Sequence, residues 1–284
     1  MSSIADRTIL VHVSIRCDMF NRRDRRETED LEFRSRAAHK AVRVNKSLLP
    51  ECKQLAKIAA KSVDIRRFVE RNSLPWSALG QRIMSTQGQG FLTFTAELNK
   101  RTEAFDKAVQ EFVNAYPQEV QNARQSLGSL YNSEDYPPQW EIEKRYEARA
   151  IFSPVPRTDD FRLDISDDIA ADMKARMEED FQRTLKESND KAWQRMKSVA
   201  EKALERLKEP GAIFRDSLIQ NVEEVVDTMT SLNLTGDPAM FDIARDLKAA
   251  VSTHNVGTIR KDPIIRQQAA DNVDAVLERM KGFY

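Results

Sequence analysis

Six arginines near the N-terminus form the strongest candidate for binding chemistry in the chain. They are Arg22, Arg23, Arg25, Arg26, Arg34 and Arg36. Clustered guanidinium groups release counterions from a phosphate backbone, so this pattern predicts contact with nucleic acid or with an acidic partner. Four acidic residues from Glu27 to Glu32 interrupt the cluster and favour the alternative, a solvated loop and helix face. Both interpretations stay open.

Patterns for nucleophilic, metal or nucleotide chemistry are missing from the sequence. His12, His39 and His254 are too scattered for a pair of metal ligands on one helix, and Cys17 and Cys52 form no C-x-x-C motif. Neither G-x-x-x-x-G-K nor G-x-G-x-x-G occurs. We therefore expect no cofactor, no metal and no catalytic site. The alternative is an enzyme whose site forms from distant residues that converge in the folded chain.

A loop signal occupies residues 72–80, which read NSLPWSALG. This stretch predicts a turn that contains Pro75 and is followed by Trp76. Trp76 is interpreted as a buried loop anchor rather than a platform for stacking bases. Together with Gly80 and Arg82, these residues are predicted to determine the fold.

The composition predicts a helical protein. Of the 284 residues, 40% are hydrophobic and 32% charged, with 8 Gly and 10 Pro, a balance that favours long solvated helices over a loop-rich β fold. Lys and Arg equal Asp and Glu at 45 each, but the first 100 residues hold 19 basic against 11 acidic residues. No apolar run is long enough to cross a bilayer, and no secretory signal is recognisable, so we expect no membrane contact.

Short strands are predicted to hold the N-terminus to the middle of the chain. Apolar residues alternate with others from Ile9 to Ile15, which is the period of a strand. Its partners are expected at Tyr146 to Phe152 and at Phe161 to Ile165. The charged stretch from Phe20 to Phe33 has few apolar residues and is predicted to be an exposed loop.

Helical periodicity dominates the remainder. A helical hairpin is predicted from Arg34 to Arg71, with Pro50 in the first turn of its second helix. An apolar stripe from Phe94 to Tyr116 predicts a long helix that Pro117 should kink or restart.

An even longer helix of about forty residues is predicted from Ser166 to Leu207, followed by helices at residues 214–231, 238–252 and 263–280. Its apolar stripe can exceed what its own domain covers, which suggests an antiparallel hairpin or a coiled-coil partner. The sequence thus predicts a mainly α fold of long helical hairpins or a bundle. A small β-sheet joins the N-terminal strand to mid-chain strands. Two regions, 1–165 and 166–284, are expected to form one continuous architecture.

Short motifs spread over nearly the full length carry a resemblance. They include Lys46-Ser47-Leu48-Leu49-Pro50, Ser73-Leu74-Pro75-Trp76, Asp135-Tyr136-Pro137, Phe214-Arg215-Asp216-Ser217-Leu218 and Leu232-Asn233-Leu234-Thr235. The set resembles a domain-of-unknown-function family typical of bacteriophage and prophage genomes. Some members are encoded near a MoxR-like AAA+ ATPase and a cobaltochelatase-like protein with a von Willebrand factor A domain. The resemblance implies a location in the bacterial host cytoplasm during phage infection, and it supplies no catalytic residues.

Three functional hypotheses follow. The first is a non-enzymatic helical adaptor or assembly protein that contacts other proteins or a second copy of itself, with the MoxR-like ATPase or its von Willebrand factor A neighbour as candidate partners. The second is a nucleic-acid-binding accessory protein of phage replication, recombination or packaging that uses the six arginines. The third is a host-targeting or anti-defence protein.

Overall fold

The computed structural model describes residues 4–77, 79–156, 167–209, 216–252 and 256–283. Helices make up most of these residues, and a small antiparallel sheet contains the N-terminal strand, so the predicted mainly α fold is confirmed. Within the described ranges, no helix combines the length and apolar character that a membrane span needs.

The elements of the first half are α1 (Ile4–Arg7), β1 (Thr8–Arg16), β2 (Asn21–Asp24), α2 (Arg25–Ser35), β3 (Val44–Ser47), α3 (Lys53–Asn72), β4 (Leu74–Pro75), β5 (Arg82–Ser85) and α4 (Gln89–Leu127). The second half holds α5 (Gln139–Ile142), β6 (Glu147–Pro154), α6 (Asp167–Lys208), α7 (Asp216–Ser231), α8 (Pro238–Ser252), α9 (Val256–Lys261) and α10 (Pro263–Met280). The long helix α6 and the three C-terminal helices α7, α8 and α10 therefore form where the sequence predicts them.

The four-stranded sheet has the order β4-β5-β1-β6. Strand β1 pairs antiparallel with β5, with Thr8 opposite Ser85 and Val11 opposite Arg82. Strand β6 confirms the predicted strand in the middle of the chain, whereas the predicted strand at Phe161 to Ile165 lies outside the described residues. Strands β4 and β5 were not predicted, because they are too short to show an alternating pattern.

The predicted loop from Phe20 to Phe33 is wrong, because most of this stretch is regular structure. Strand β2 pairs antiparallel with β3, and α2 follows directly. Asp24 caps α2, since its Oδ1 accepts the backbone N–H of Glu27 at 3.1 Å. Leu31 and Phe33, the two large apolar residues of α2, are both exposed, so the helix lacks the buried apolar face that hydrophobic periodicity detects.

The predicted hairpin from Arg34 to Arg71 is also wrong in its first helix. Helix α2 ends at Ser35, and Arg36 and Lys40 adopt left-handed backbone angles, with φ of 50° and 71°. The Glu32 carboxylate accepts the backbone N–H of Lys40 at 2.7 Å, which folds this turn back towards α2. Of the predicted hairpin, only the second helix is present, as α3. It begins at Lys53, so Pro50 precedes the helix instead of lying in its first turn.

Pro117 lies inside α4 and does not end it. A proline deprives the carbonyl four residues earlier of its helical donor. That carbonyl belongs to Val113, and it accepts a hydrogen bond from Gln139 Nε2 at 2.8 Å instead. A side chain from the following segment thus satisfies the group that proline leaves without a partner.

Two compact units divide the chain. Unit 1 comprises Met1–His12, Phe68–Thr95 and Ile151–Tyr284, and unit 2 comprises Val13–Arg67 and Ala96–Ala150. The units are interleaved along the sequence, and the predicted boundary at residue 165 lies outside the described residues.

Each unit has its own core. In unit 2, the ring of Phe112 lies 5.7 Å from the rings of Phe20 and Tyr146 and 5.8 Å from that of Tyr116. In unit 1, helices α6, α7, α8 and α10 pack together around fully buried apolar side chains, among them Trp193, Met196, Leu247 and Val273.

Candidate functional site

The six predicted arginines lie on one exposed segment of unit 2. Arg22 and Arg23 are on β2, Arg25 and Arg26 are in the first turn of α2, and Arg34 and Arg36 are at its C-terminal end. All six are exposed to solvent. The fold therefore brings them onto one segment, but their contacts differ.

Arg22 belongs to a group of alternating charges, which we name the Lys46 cluster: Arg22, Asp24, Lys46 and Asp135. Lys46 Nζ lies 3.3 Å from Asp24 Oδ2 and 2.8 Å from Asp135 Oδ2, the latter an ion pair outside hydrogen-bond geometry. Lys46 also donates to the carbonyl of Leu130 at 2.8 Å. Arg22 Nη1 donates to Asp135 Oδ1 at 2.7 Å. Two cations thus meet two carboxylates, and the cluster has no surplus charge.

Most of this cluster is buried: the side chains of Lys46, Asp24 and Asp135 are 10%, 12% and 11% exposed. Burial opposes ionisation of Asp135, yet its contacts with Lys46 and Arg22 outweigh burial and lower the pKa of that carboxyl. The backbone amide of Glu27 lowers the pKa of Asp24, and Lys46 lowers it further. Burial likewise opposes the charge on Lys46, but Asp135 and Asp24 raise the pKa of its amine. We conclude that Arg22 serves the fold and is poorly placed for a ligand.

The other five arginines present a mixed surface. Phe33 on α2 is 86% exposed, and it lines a shallow cleft of about 730 Å³ together with Arg34, Arg36 and His39. An exposed aromatic ring beside cations can stack on a nucleic-acid base. Glu29 and Glu32 also line this cleft and weaken its attraction for phosphate.

The predicted fold-determining loop connects β4 to β5 in unit 1. The backbone N–H of Trp76 donates to the carbonyl of Gln81 at 2.9 Å, and Gly80 has a left-handed φ of 79° that few other residues adopt. The ring of Trp76 packs edge-on against Phe181 of α6, with 5.4 Å between centroids. Pro75 is held by a hydrogen bond of 2.5 Å from the buried Ser188 hydroxyl to its carbonyl.

Arg82 forms with Arg195 of α6 a second group of cations, which we name the arginine pair. Arg82 donates from Nε to Ser73 Oγ at 2.8 Å, and from Nη2 to the carbonyls of Ser73 at 2.7 Å and Glu70 at 3.1 Å. Arg195 donates to the carbonyls of Arg71 at 2.8 Å, Glu70 at 2.9 Å and Ser73 at 3.4 Å. The two guanidiniums thus lie side by side on the last carbonyls of α3, where the helix dipole favours cations.

The arginine pair lacks the carboxylates that neutralise the Lys46 cluster. Among the described residues, no Asp or Glu forms an ion pair with either guanidinium. Burial lowers the pKa of both groups, and the charge of Arg195 lowers the pKa of Arg82 further. Both arginines line an open cleft of about 390 Å³, together with Glu70, Pro75, Lys191 and Gln194.

The beginning of α6 presents exposed apolar side chains in unit 1. Ile169 and Met173 are 55% and 37% exposed, and Met177 is half-buried. Steps of four residues place these three side chains on one face, which we name the α6 stripe. Residues 171–176 and 178–180 are all exposed, whereas from Leu185 onward the helix has a buried face.

The parts of the chain that the structure describes bring together no group of three or more His, Cys, Asp or Glu able to hold a metal ion. His12 Nδ1 lies 3.4 Å from the carbonyl of Gly80, and His39 pairs with Glu32. His254 lies outside the described residues. Burial raises the pKa of both Cys17 and Cys52, which disfavours the reactive thiolate.

Comparison with protein-family models, with curated proteins and with solved structures finds no match to this chain. The resemblance to a phage and prophage family therefore remains a prediction. Function is therefore inferred from the surfaces of the described residues.

Proposed function

We propose that the chain is a non-enzymatic helical adaptor or assembly protein that acts through contacts with other proteins. The observation that carries this proposal is the α6 stripe. Ile169 and Met173 are large apolar side chains exposed on a helix whose later turns are buried in their own unit. Transfer of such side chains from water into a partner surface is favourable by about 1 kcal/mol each, given their present exposure.

The spacing of the stripe suits one mode of recognition. Apolar anchors at i, i+4 and i+8 on an amphipathic helix fit an apolar groove on another protein. The flanking side chains between residues 172 and 180 comprise Asp172, Glu178, Glu179 and Asp180 against Lys174 and Arg176. This acidic excess favours a groove with a basic rim.

The candidate partners are those that the family resemblance suggests, a MoxR-like AAA+ ATPase and a von Willebrand factor A protein. A second copy of this chain is the alternative occupant, which self-association of the purified protein would reveal.

Affinity capture with a matched pair of double variants tests the proposal. Ile169→Ser with Met173→Ser removes the two most exposed apolar side chains of the stripe, while Ala171→Ser with Ala175→Ser places the same two serines on the opposite side of the helix, at about 100° per residue. Captured proteins should be identified by mass spectrometry, and self-association should be measured by light scattering coupled to size-exclusion chromatography.

The wild type and the Ala171→Ser, Ala175→Ser control should recover the same protein partner, and the stripe variant should lose it. Recovery of the same partners by all three proteins would contradict the proposal. So would a strictly monomeric wild type that captures no protein.

A second candidate function, nucleic-acid binding, is favoured by the exposure of Phe33 beside Arg34 and Arg36. Its test is fluorescence anisotropy with single-stranded DNA and RNA over a range of salt concentrations. Arg26→Ala, Arg34→Ala and Arg36→Ala together should weaken binding and flatten its salt dependence. Arg22 is left unchanged because it belongs to the Lys46 cluster.

The control for this test is the exposed cation triple of unit 1, Lys186→Ala, Lys202→Ala and Lys261→Ala, which removes equal charge elsewhere. Equal loss of binding in both triples would indicate nonspecific attraction. A host-targeting or anti-defence role would use the same α6 stripe, and the identity of the captured partner distinguishes it from an assembly role.

A further inference from the structure

We propose that the cleft formed by Arg82, Arg195 and Lys191 binds the phosphate group of a small phosphorylated molecule. This site lies entirely within unit 1 and is independent of the proposed adaptor function. Three features of the cleft favour such a ligand: the arginine donors that the contacts with α3 leave unused, the positive charge and the size.

The carbonyls of α3 occupy only part of the hydrogen-bonding capacity of the arginine pair. Arg82 uses Nε and Nη2, and Arg195 uses Nη2 and one hydrogen of Nη1. A guanidinium carries five N–H donors. No acceptor among the described residues lies in hydrogen-bond geometry with Arg82 Nη1 or Arg195 Nε, so both groups remain available to a ligand in the cleft.

The same α3 contacts preorganise the site. Each guanidinium is held by at least three hydrogen bonds to backbone or hydroxyl oxygens, so neither side chain must lose much rotamer freedom when a ligand binds. Lys191 completes the cation set from α6, one turn before Arg195, and its Nζ lies 3.2 Å from Gln194 Oε1.

The charge of the cleft is positive. The C-terminal end of α3 contributes about half a negative charge, and Glu70 contributes one more. Arg82, Arg195 and Lys191 contribute three positive charges, so a surplus of about one and a half remains. Arginine forks favour planar or tetrahedral oxyanions, and lysine adds a point charge, which is the usual donor set for phosphate.

The cleft volume of about 390 Å³ exceeds the space that a single phosphate fills and accommodates a small molecule attached to it. Inorganic phosphate and the phosphate of a free nucleotide share the chemistry that the site recognises. Comparison of the two as ligands identifies the source.

The experiment is isothermal titration calorimetry on the full chain with sodium phosphate and with AMP, against sodium chloride at matched ionic strength. Lys191→Glu is the test variant because Lys191 is exposed and bonds no part of α3. Lys186→Glu is the control, since it changes the charge equally on another side of the same helix. Circular dichroism checks that both variants keep the wild-type helix content.

Wild type and Lys186→Glu should bind phosphate with a dissociation constant on the order of 1 mM or tighter, and Lys191→Glu should bind at least about tenfold more weakly. Tighter binding of AMP than of phosphate would identify a nucleotide-like ligand, and equal binding would identify the phosphate group alone. The proposal is overturned if chloride reproduces the heats, if Lys191→Glu binds as the wild type does, or if only a single-stranded oligonucleotide binds and phosphate does not compete with it.

Discussion

The two ends of α6 follow one helical pattern and lie in opposite environments. From Leu185 onward, apolar residues at helical spacing are buried against α7, α8 and α10, and Trp193 is 1% exposed. In the first turns the same spacing continues through Ile169, Met173 and Met177, but Ile169 and Met173 stay exposed and Met177 is only half-buried. An apolar pattern therefore shows that a face is suited to packing, and only the structure shows which part of it is still uncovered.

The cations of unit 2 likewise divide into those that are paired with carboxylates and those that are exposed. Lys46 and Arg22 are neutralised by Asp24 and Asp135, while the neighbouring Arg25 and Arg26 are exposed on α2. The residue types and their spacing in the sequence do not show which cations are paired and which are exposed. We expect buried or paired residues to determine stability and exposed residues to determine binding, and four predictions test this division.

The largest effect is expected from Trp193→Ala in the covered part of α6. The indole is fully buried and stacks on Phe283 with 4.8 Å between ring centroids, so its removal leaves a large cavity. We expect a loss of about 3–5 kcal/mol of unfolding free energy, measured by urea denaturation followed by circular dichroism. Trp140→Ala is the control, since Trp140 is 68% exposed, and an equal loss there would contradict the division.

A smaller loss is expected from Lys46→Met. It leaves two largely buried carboxylates without their shared cation, which should cost about 3 kcal/mol. Lys57→Met removes the exposed pair with Glu111 in the same unit and should cost no more than about 1 kcal/mol. Hydrogen exchange of unit 2 peptides checks this prediction, and indistinguishable protection in the two variants would refute it.

Acid should remove the contribution of the Lys46 cluster. The pKa values of Asp24 and Asp135 are lowered by folding, so their stabilisation is present above the ordinary value of 3.8 and is lost as pH falls through the lower folded values. The pKa of Lys46 is raised above 10.5, so its contribution disappears only above that pH. The Tm difference between wild type and Asp135→Asn should therefore shrink from about pH 7 to about pH 2.5. A difference that stays constant would argue against the cluster.

The smallest effect on stability is expected at the α6 stripe. Ile169→Ser and Met173→Ser should each change the unfolding free energy by no more than about 0.5 kcal/mol, because both side chains are already exposed. Met196→Ser, in the covered part of the same helix, should cost at least about 2 kcal/mol. A large loss at Ile169 or Met173 would mean that the stripe serves the fold and not a partner.

Long periodic elements could be predicted from the sequence, and contacts between distant residues could not. Helix α6 was found because its apolar period continues over many turns, and α10 because Asp262 and Pro263 mark its start. Helix α2 was missed because its stabilisation comes from a cap and solvated charges rather than from a buried face.

Clusters that join residues far apart in the sequence show neither apolar periodicity nor a helix cap that would predict them. Asp135 joins Arg22 across more than a hundred residues, and Arg195 meets Arg82 only because α6 passes the end of α3. The cluster of arginines around residue 22 predicted a ligand surface there. In the folded chain, however, the Asp135 carboxylate pairs with Arg22. In the sequence, the only signal at Arg195 is a cation next to the apolar residues of a predicted helix.

We propose that a protein partner covers the α6 stripe, and site-specific photo-crosslinking in cells detects such a contact. A photoreactive phenylalanine analogue placed at Met173 should give a covalent adduct with the partner in the cells that produce the protein. The same analogue at Ala175, on the opposite side of the helix, should give none. Equal adducts from both positions, or none from Met173 while the partner still binds, would show that the partner does not cover the α6 stripe.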